Sequence, residues 1–318
     1  MSDSDLTATV GVVTYGRPEH VADLLESLLE QTLVPPEILV VDDSHADRTR
    51  ETIGAYRDRF ARAGADLRYL ARVGPDSMPG ARNTVLNCSD GDIVCFLDDD
   101  VVCSPEWFET VLGVFEHQLD VTAVGGPAIS VDGELELRRE VRRDPENQNR
   151  IDAFGRTVSR AKNWIPPEPV DTQRLEGANM SFRREALAEV GGFDLDYDRG
   201  PAKFEEVDTM ARLVRRGDRL VYHPDALVHH FEASEGGARA AMRRVDLEEQ
   251  YWFARNYVLF RRKNARVPFW LSVAHLVVTG VTSPWRVRRF VGATLSGDWS
   301  QLYRLRGYLD GIVFDRSG

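Results

Sequence analysis

The apolar positions along the first two thirds of the chain switch repeatedly between two periods. Ala8 to Val13 is a nearly continuous apolar run, which predicts a strand covered on both faces. Pro18 then stands where a first helical residue would, and Val21, Leu24, Leu25, Leu28 and Leu29 recur on one helical face. Pro35-Pro36 closes that element, and Ile38 to Val41 forms a second apolar run. The cycle repeats. A polar helix from about Ala46 carries Ile53, Tyr56 and Phe60 on one side and stops near Gly64, before a strand at Leu67 to Leu70. A short helix at Ala81 to Leu86 and the turn Ser89-Asp90-Gly91 lead into Ile93 to Leu97, the most apolar strand. Ser104-Pro105 is expected to cap the next helix, whose apolar side is Trp107, Phe108, Val111, Leu112 and Phe115. Alternation of this kind predicts an α/β fold, a mostly parallel sheet with helices on both faces.

Further along, residues 133–170 are charged and irregular, with Pro166-Pro167, and read as a long loop or lid with some helix. Regular structure is expected at Gly177 to Arg183, a helix at about Glu205 to Arg215 and a strand over Val221 to His229. From Gly236 the chain reads as amphipathic helix. The expected organisation is a domain over residues 1–235 and a helical extension over 236–318.

Composition supports a folded chain of one large domain plus an extension: 318 residues, 42% hydrophobic and 29% charged. The net charge of −11 is unevenly spread. Residues 1–235 hold 26 Lys+Arg against 45 Asp+Glu (−19), and residues 236–318 hold 14 against 6 (+8). Such an acidic body disfavours nucleic acid as a partner, while the basic tail suits an anionic membrane surface. Cys88, Cys95 and Cys103 are odd in number and form no CxxC pair, so they read as reduced core thiols. The polar start Met1-Ser-Asp-Ser-Asp is no signal peptide, and a cytoplasmic location is expected. The longest apolar run, Val267 to Val281, contains Pro268, His275 and Gly280 and falls short of the roughly 18 residues of a spanning helix.

Sheets of this type bind ligands beyond the carboxyl ends of their strands. The residues at those ends are Thr14-Tyr15-Gly16-Arg17, Asp42-Asp43-Ser44 and Asp98-Asp99-Asp100. Three adjacent carboxylates repel one another, and hard oxygen ligands suit Mg²⁺ or Mn²⁺. A solvated helix-capping turn is the competing reading, though such a turn has no need of three acids in a row. Asp42-Asp43 can accept hydrogen bonds from a base or ribose, or can form an ordinary Asx turn. Glu205-Glu206-Val207-Asp208 opens a predicted helix. The helix dipole alone favours acids there, but one placed in the cleft would serve as a general base. His229-His230 follows a late strand, and His229 is a candidate to complete a carboxylate metal site, against the reading of an ordinary core or surface histidine. Gly80-Ala81-Arg82-Asn83 opens a helix towards the same edge, and an arginine at a helix start suits a diphosphate. The glycine fingerprint of dinucleotide folds and the P-loop are both missing after the first strand.

Together these residues resemble glycosyltransferase family 2, from about Thr9 to His230. Val12-Val13-Thr14-Tyr15-Gly16-Arg17 resembles that family's opening strand and T-Y-N-R turn, with Gly16 in place of Asn. Val40-Val41-Asp42-Asp43-Ser44 resembles its nucleotide-binding turn without the glycine, and Leu97 to Asp100 its metal-binding D-x-D. Gly80-Ala81-Arg82-Asn83 is similar to the G-x-A-R-N helix start. Glu176 to Arg184 and Val190 to Asp194 are similar to the segment lining the acceptor side, and Glu205 to Asp208 to E-D-x-D, with Glu206 in place of Asp.

The resemblance implies a GT-A fold and transfer of a sugar from a nucleotide-diphosphate donor to an acceptor hydroxyl, with inversion. Carried over, Asp43 would contact the base, and Thr14, Tyr15 and Arg17 would frame the nucleotide. Arg82 would lie near the diphosphate. Asp98 and Asp100 would hold donor and metal, and Asp99 would reach the sugar. Glu206 would be the base, with Glu205 its fallback, and Glu205 and Asn179 would lie on the acceptor side. The partners expected are a nucleotide sugar and a carbohydrate acceptor; a lipid-linked acceptor is expected if the basic tail binds a membrane, and a second copy of the chain if that tail packs on another subunit.

Arg261, Arg262, Lys263 and Arg266 precede the apolar run at 267–281, and Arg286, Arg288 and Arg289 follow it, with Trp270 and Trp285 near its ends. That pattern over residues 261–289 suits a helix lying in the interface on a membrane's cytoplasmic face. Packing of the run on the body or on a second subunit is the alternative. Two other functions stay open: a sugar nucleotidyltransferase, which needs a basic glycine-rich loop that Val13 to His20 does not supply, and a non-catalytic nucleotide-sugar-binding module.

Overall fold

In a computed structural model, the chain is described over residues 6–44, 47–74, 76–132, 149–158, 163–198, 203–233, 245–278 and 299–313, with 135, 137 and 141 between. The elements run β1 (Ala8–Thr14), α1 (Pro18–Leu29), β2 (Glu37–Asp42), α2 (Asp47–Arg62), β3 (Asp66–Ala71), α3 (Met78–Cys88), β4 (Ile93–Asp98), β5 (Val101–Cys103), α4 (Trp107–His117), β6 (Val121–Gly125) and β7 (Ala128–Ser130). Then follow β8 (Arg150–Ile151), β9 (Thr157–Val158), β10 (Val170–Thr172), β11 (Asn179–Arg183), α5 (Arg184–Glu189), α6 (Glu205–Arg216), β12 (Arg219–Tyr222), β13 (Val228–His230), α7 (Val245–Asn264), α8 (Phe269–Leu276) and α9 (Ser300–Val313).

An eight-stranded sheet of order β10-β12-β6-β11-β4-β1-β2-β3 forms the centre. β1, β2, β3 and β4 are mutually parallel, β11 runs against both β4 and β6, and β12 is parallel to β6. Six strands therefore point one way, and only β10 and β11 oppose them.

Alternate residues of each central strand face different layers, which is why the strands read as unbroken apolar runs. Ile38, Val40, Ile93, Cys95 and Leu97 pack under α1, α2 and α4, against Leu24, Leu28, Phe60 and Trp107. Leu39, Val41, Val94 and Phe96 pack under α3, α5 and α6, against Val85, Leu187 and Met210. A Cβ on Gly11 would come within 2.1 Å of Val85 Cγ1, so a bare backbone there lets α3 lie directly on β1.

Several expectations change. The single late strand divides into β12 and β13, which belong to different sheets; Pro224 lies between them and cannot donate to a ladder. Ser104 does not cap α4: the helix starts at Trp107 and its N-cap residue is Glu106, with no side-chain cap bond. Of the expected lid at 133–170, most positions before 149 and residues 159–162 lie outside the described residues. The described remainder holds the β8–β9 pair and β10. The expected domain boundary falls at residues 234–244, also outside the described residues.

The tail does not stand apart from the body. α7 packs on α6 through Leu259 and Phe260 against Phe204, Val207 and Ala211. α8 and α9 join α7 through Leu276, Tyr308, Ala254 and Val258. Two of the expected membrane-facing cations are engaged within the chain. Arg261 is 2% exposed, donating to Ser272 Oγ (3.0 Å) and Ser272 O (2.8 Å), and Lys263 is ion-paired with Asp194 and Asp196. Arg262 and Arg266 are exposed. Trp285, Arg286, Arg288 and Arg289 lie outside the described residues. Among the described residues no helix is long and apolar enough to cross a membrane.

Candidate active site

The parallel register brings the carboxyl ends of β1, β2 and β4 level: Thr14 pairs with Asp42, and Val13 with Asp98. The turn after β1 bends through Gly16 at φ +66°. Glycine and asparagine are the two residues that tolerate that region, so Gly16 serves where the family pattern has Asn.

Asp43 forms one wall. Its carboxylate accepts from Arg72 Nε (2.6 Å) and Nη2 (3.0 Å) and from the Ser77 backbone N–H (2.6 Å). Arg72, which no motif singled out, is thus paired with Asp43 through two hydrogen bonds. Asp42 accepts from Ser44 N (2.8 Å) and Tyr69 OH (3.1 Å). Burial and the Asp42 charge push the Tyr69 phenol up to about 12. Tyr15 is half-buried, and burial, followed by the charge of Asp76, raises its phenol as well.

The three acids after β4 do not act together. Asp98 and Asp100 turn towards β13, where their oxygens and a His230 nitrogen all lie within 4.8 Å of one another. His230 Nε2 is 3.1 Å from Asp100 Oδ1. The expected ligand His229 is not in this group. Adjacent strand residues face opposite ways, and the register of β13 sets His230 opposite Val101 and His229 opposite Val102. Two carboxylates and an imidazole converging at an open edge form a donor set that suits a divalent cation; the Asp98 side chain is 28% exposed.

Asp99 turns the other way. It accepts from Thr14 Oγ1 (2.7 Å) and Arg17 Nη1 (2.9 Å) and is almost fully buried. Thr14 and Arg17 are correspondingly braces of the acid turn. Arg17 also contacts Asp100 Oδ2 (3.3 Å) and donates to Ala233 O (2.8 Å). Burial pushes Asp99 up to about 6, against the pull of Arg17. Burial also opposes ionisation of Asp100, but His230, Arg17 and the Ala233 N–H outweigh it and hold that carboxyl down at about 2.

The opposite wall is the first turn of α6. Arg82, buried at the start of α3, donates from Nη1 to Glu205 Oε1 (2.7 Å) and from Nη2 to Gly177 O (3.1 Å) and Asp98 Oδ1 (3.3 Å). Glu205 is 2% exposed. Burial and the adjacent Glu206 drive its carboxyl well above the usual range, against the pull of Arg82. It is a buried carboxylate tied to Arg82. Glu206 is half-exposed and lies against Gly177, where an added Cβ would be 3.5 Å from Glu206 Cγ. Asn179 lies in the interior. It is fully buried, accepts from Trp107 Nε1 (2.9 Å) and donates to Ala226 O (2.7 Å), which satisfies an amide in the interior.

Comparison with known proteins gives the family and the fold. The sequence model described as glycosyl transferase family 2 matches residues 9–191. The chain is 26% identical over 234 residues to a glucosyl-dolichyl phosphate glucuronosyltransferase of Haloferax volcanii, covering 71% of this chain and 69% of that one. In structure it is similar to GalNAc-T7 solved with UDP, GalNAc and Mn²⁺, with a TM-score of 0.62 at 16% identity, covering 88% of this chain and 59% of the other. It is also similar to the mannosyltransferase PcManGT of Pyrobaculum calidifontis solved with GDP-Man and Mn²⁺, with a TM-score of 0.55 at 17% identity, covering 98% and 88%. At these identities the structural likeness shows the fold, which is GT-A.

Proposed function

Since the chain belongs to glycosyl transferase family 2, we propose that it moves a sugar from a nucleotide-diphosphate donor to an acceptor hydroxyl, with inversion and with Glu206 as general base. The observation that carries this reading is the fork of Arg82, which bonds Glu205 beside Glu206 and also Asp98 in the carboxylate–imidazole group. It ties the buried neighbour of Glu206 to the carboxylate–imidazole group.

Asp98, Asp100 and His230 would hold the cation. When bound, a divalent cation offsets the charge that develops on the departing diphosphate. The mixed oxygen and nitrogen donors suit Mn²⁺ better than Mg²⁺, which keeps an oxygen and water shell. Glu206 takes the proton of the acceptor hydroxyl as the new oxygen–carbon bond forms. The anomeric carbon–oxygen bond breaks, and the nucleotide diphosphate leaves with the electron pair. Asp43 and Arg72 bound the side where a nucleoside would lie, with Tyr15 at its rim.

A lipid-linked acceptor is supported by the Haloferax volcanii relative, whose name specifies a dolichyl phosphate. It is supported also by the exposed Arg262, Arg266 and Trp270 (68% exposed) around α8, which suit peripheral binding to a membrane's cytoplasmic face. Flotation with anionic liposomes checks that attachment; protein left in the soluble fraction would remove it.

The test of the activity is nucleotide diphosphate release from UDP-, GDP- and dTDP-sugars with Mn²⁺ or Mg²⁺ and membrane lipid as acceptor. Release that requires metal, Asp100 and Glu206 supports transfer. Donor binding without release would instead favour a nucleotide-sugar-binding module.

A further inference from the structure

The turn that presents Glu205 and Glu206 begins from a strained residue. Phe204, the N-cap of α6, has φ +80° and ψ −2°. Bulky side chains rarely adopt this left-handed region. Phe204 gains no cap hydrogen bond in return. Strain of this kind persists only where the surroundings over-determine it.

Those surroundings come from α7. The Phe204 ring lies 5.3 Å from Phe253, 5.4 Å from Tyr257 and 5.6 Å from Phe260, nearly parallel to the last two. Asn256 Nδ2 donates to Lys203 O (3.2 Å), just before Phe204, and Asn264 Nδ2 to Asp208 Oδ1 (2.7 Å), one turn after it. Both sides of the strained backbone are thus pinned to one helix. The first helical bond of α6, Asp208 N–H to Phe204 O (2.9 Å), starts from the same residue.

We propose that Phe204 is a positioning residue, held left-handed by α7 so that Glu205 meets Arg82 and Glu206 lies against Gly177. The inference rests on the reading of Glu206 as the base. A relaxed, negative φ at residue 204 would swing the first turn of α6. Glu206 would then leave Gly177, and Glu205 would leave Arg82. The C-terminal helices are on this account part of the catalytic architecture.

The experiment compares Phe204→Ala with Phe204→Gly. Both remove the ring, but only glycine accepts φ +80° without strain. A displacement of about 1 Å costs roughly 100-fold in rate, so kcat for donor turnover should fall about 100-fold in the alanine variant. The glycine variant should stay within about 10-fold of wild type, and donor KM within about threefold in both, because the displaced group is catalytic. Phe253→Ala, at the exposed rim of the ring stack, should fall between wild type and Phe204→Ala, and it keeps the test alive if the buried variant does not fold. Equal kcat in the alanine and glycine variants, or a loss confined to KM, would overturn the proposal. If wild type turns over no donor, the assigned activity is what has failed. Positioning is then judged by hydrogen exchange of the amides at 208–210: faster exchange in Phe204→Ala than in Phe204→Gly upholds it, and equal exchange removes it.

Discussion

The two walls of the cleft are built by different means. The donor wall is made where three parallel strands end, and most of its braces come from nearby turns: Thr14 and Arg17 on Asp99, Arg72 and Ser77 on Asp43. The base wall is one helical turn that would not hold its shape alone. It starts from a left-handed phenylalanine, and its supports come from α7 and from Arg82 on α3. A wall made of strand ends is fixed by the sheet. A wall made of a helix start is only as precise as what packs behind it.

Removing the donor wall's central acid should have the largest effect. Asp100→Ala deletes a cation ligand and strips partners from both His230 and Arg17. Nucleotide diphosphate release should fall by about 10³-fold or more, the scale of losing a charge-stabilising group. A loss under about tenfold in the release assay would break the division of labour between the walls.

Cutting the link between the walls comes next. Arg82→Ala leaves Glu205 in the interior without its cation. Breaking such a pair destabilises by about 3–5 kcal/mol, and the value should lie at the low end because Glu205 can take up a proton. Denaturant unfolding measures it, and a change near zero would mean that the fork holds nothing together.

The two adjacent histidines sharpen the picture of the donor wall. His230→Ala should weaken Mn²⁺ binding by about 10- to 100-fold, as loss of a group at a metal site does. His229→Ala should leave binding within about twofold on the same scale. Calorimetric titration with Mn²⁺ decides between them, and the reverse order would restore His229 as the ligand.

The smallest effect concerns pH. The folded-state pKa of Glu205 lies above its unfolded value of about 4.3, so the folded protein binds the extra proton. That group's contribution to stability is greatest below the unfolded value and is lost as pH rises towards the folded one. Glu205→Gln has no such proton to lose. Its melting temperature relative to wild type should therefore rise with pH across that window. A difference that stays flat with pH would show that Glu205 is ionised throughout.

What could be read in the sequence follows the same division. The acids at the ends of β2 and β4 were legible because unbroken apolar runs locate strand ends, and the open-sheet rule places ligands there. The directions of those acids were not legible. Asp99 and Asp100 are neighbours that share Arg17 and otherwise part: Thr14 holds Asp99, and His230 on β13 meets Asp100. The pair His229-His230 posed the same problem: a period of two allows only one to face Asp100, and the register of β13 on β5 settles which. Asn179 sat inside a matching motif but serves Trp107, 72 residues away in sequence. In the tail, composition marked Arg261 and Lys263 as surface charge, but Arg261 is buried and the partly exposed Lys263 is ion-paired within the chain. Part of the contrast between an acidic body and a basic tail is an internal interface, with Lys263 on Asp194 and Asp196. Phe204 gave no sequence signal, because a left-handed phenylalanine follows no local rule.

The measurement that bears most directly on the two-wall account is a paired titration of Glu206→Gln and wild type with nucleotide-sugar donor in Mn²⁺, alongside their turnover. Glu206→Gln should bind donor within about threefold of wild type while turnover falls by about 10²–10⁴-fold, the range of a lost general base. Turnover near the wild-type rate, or donor affinity lost in step with turnover, would contradict it.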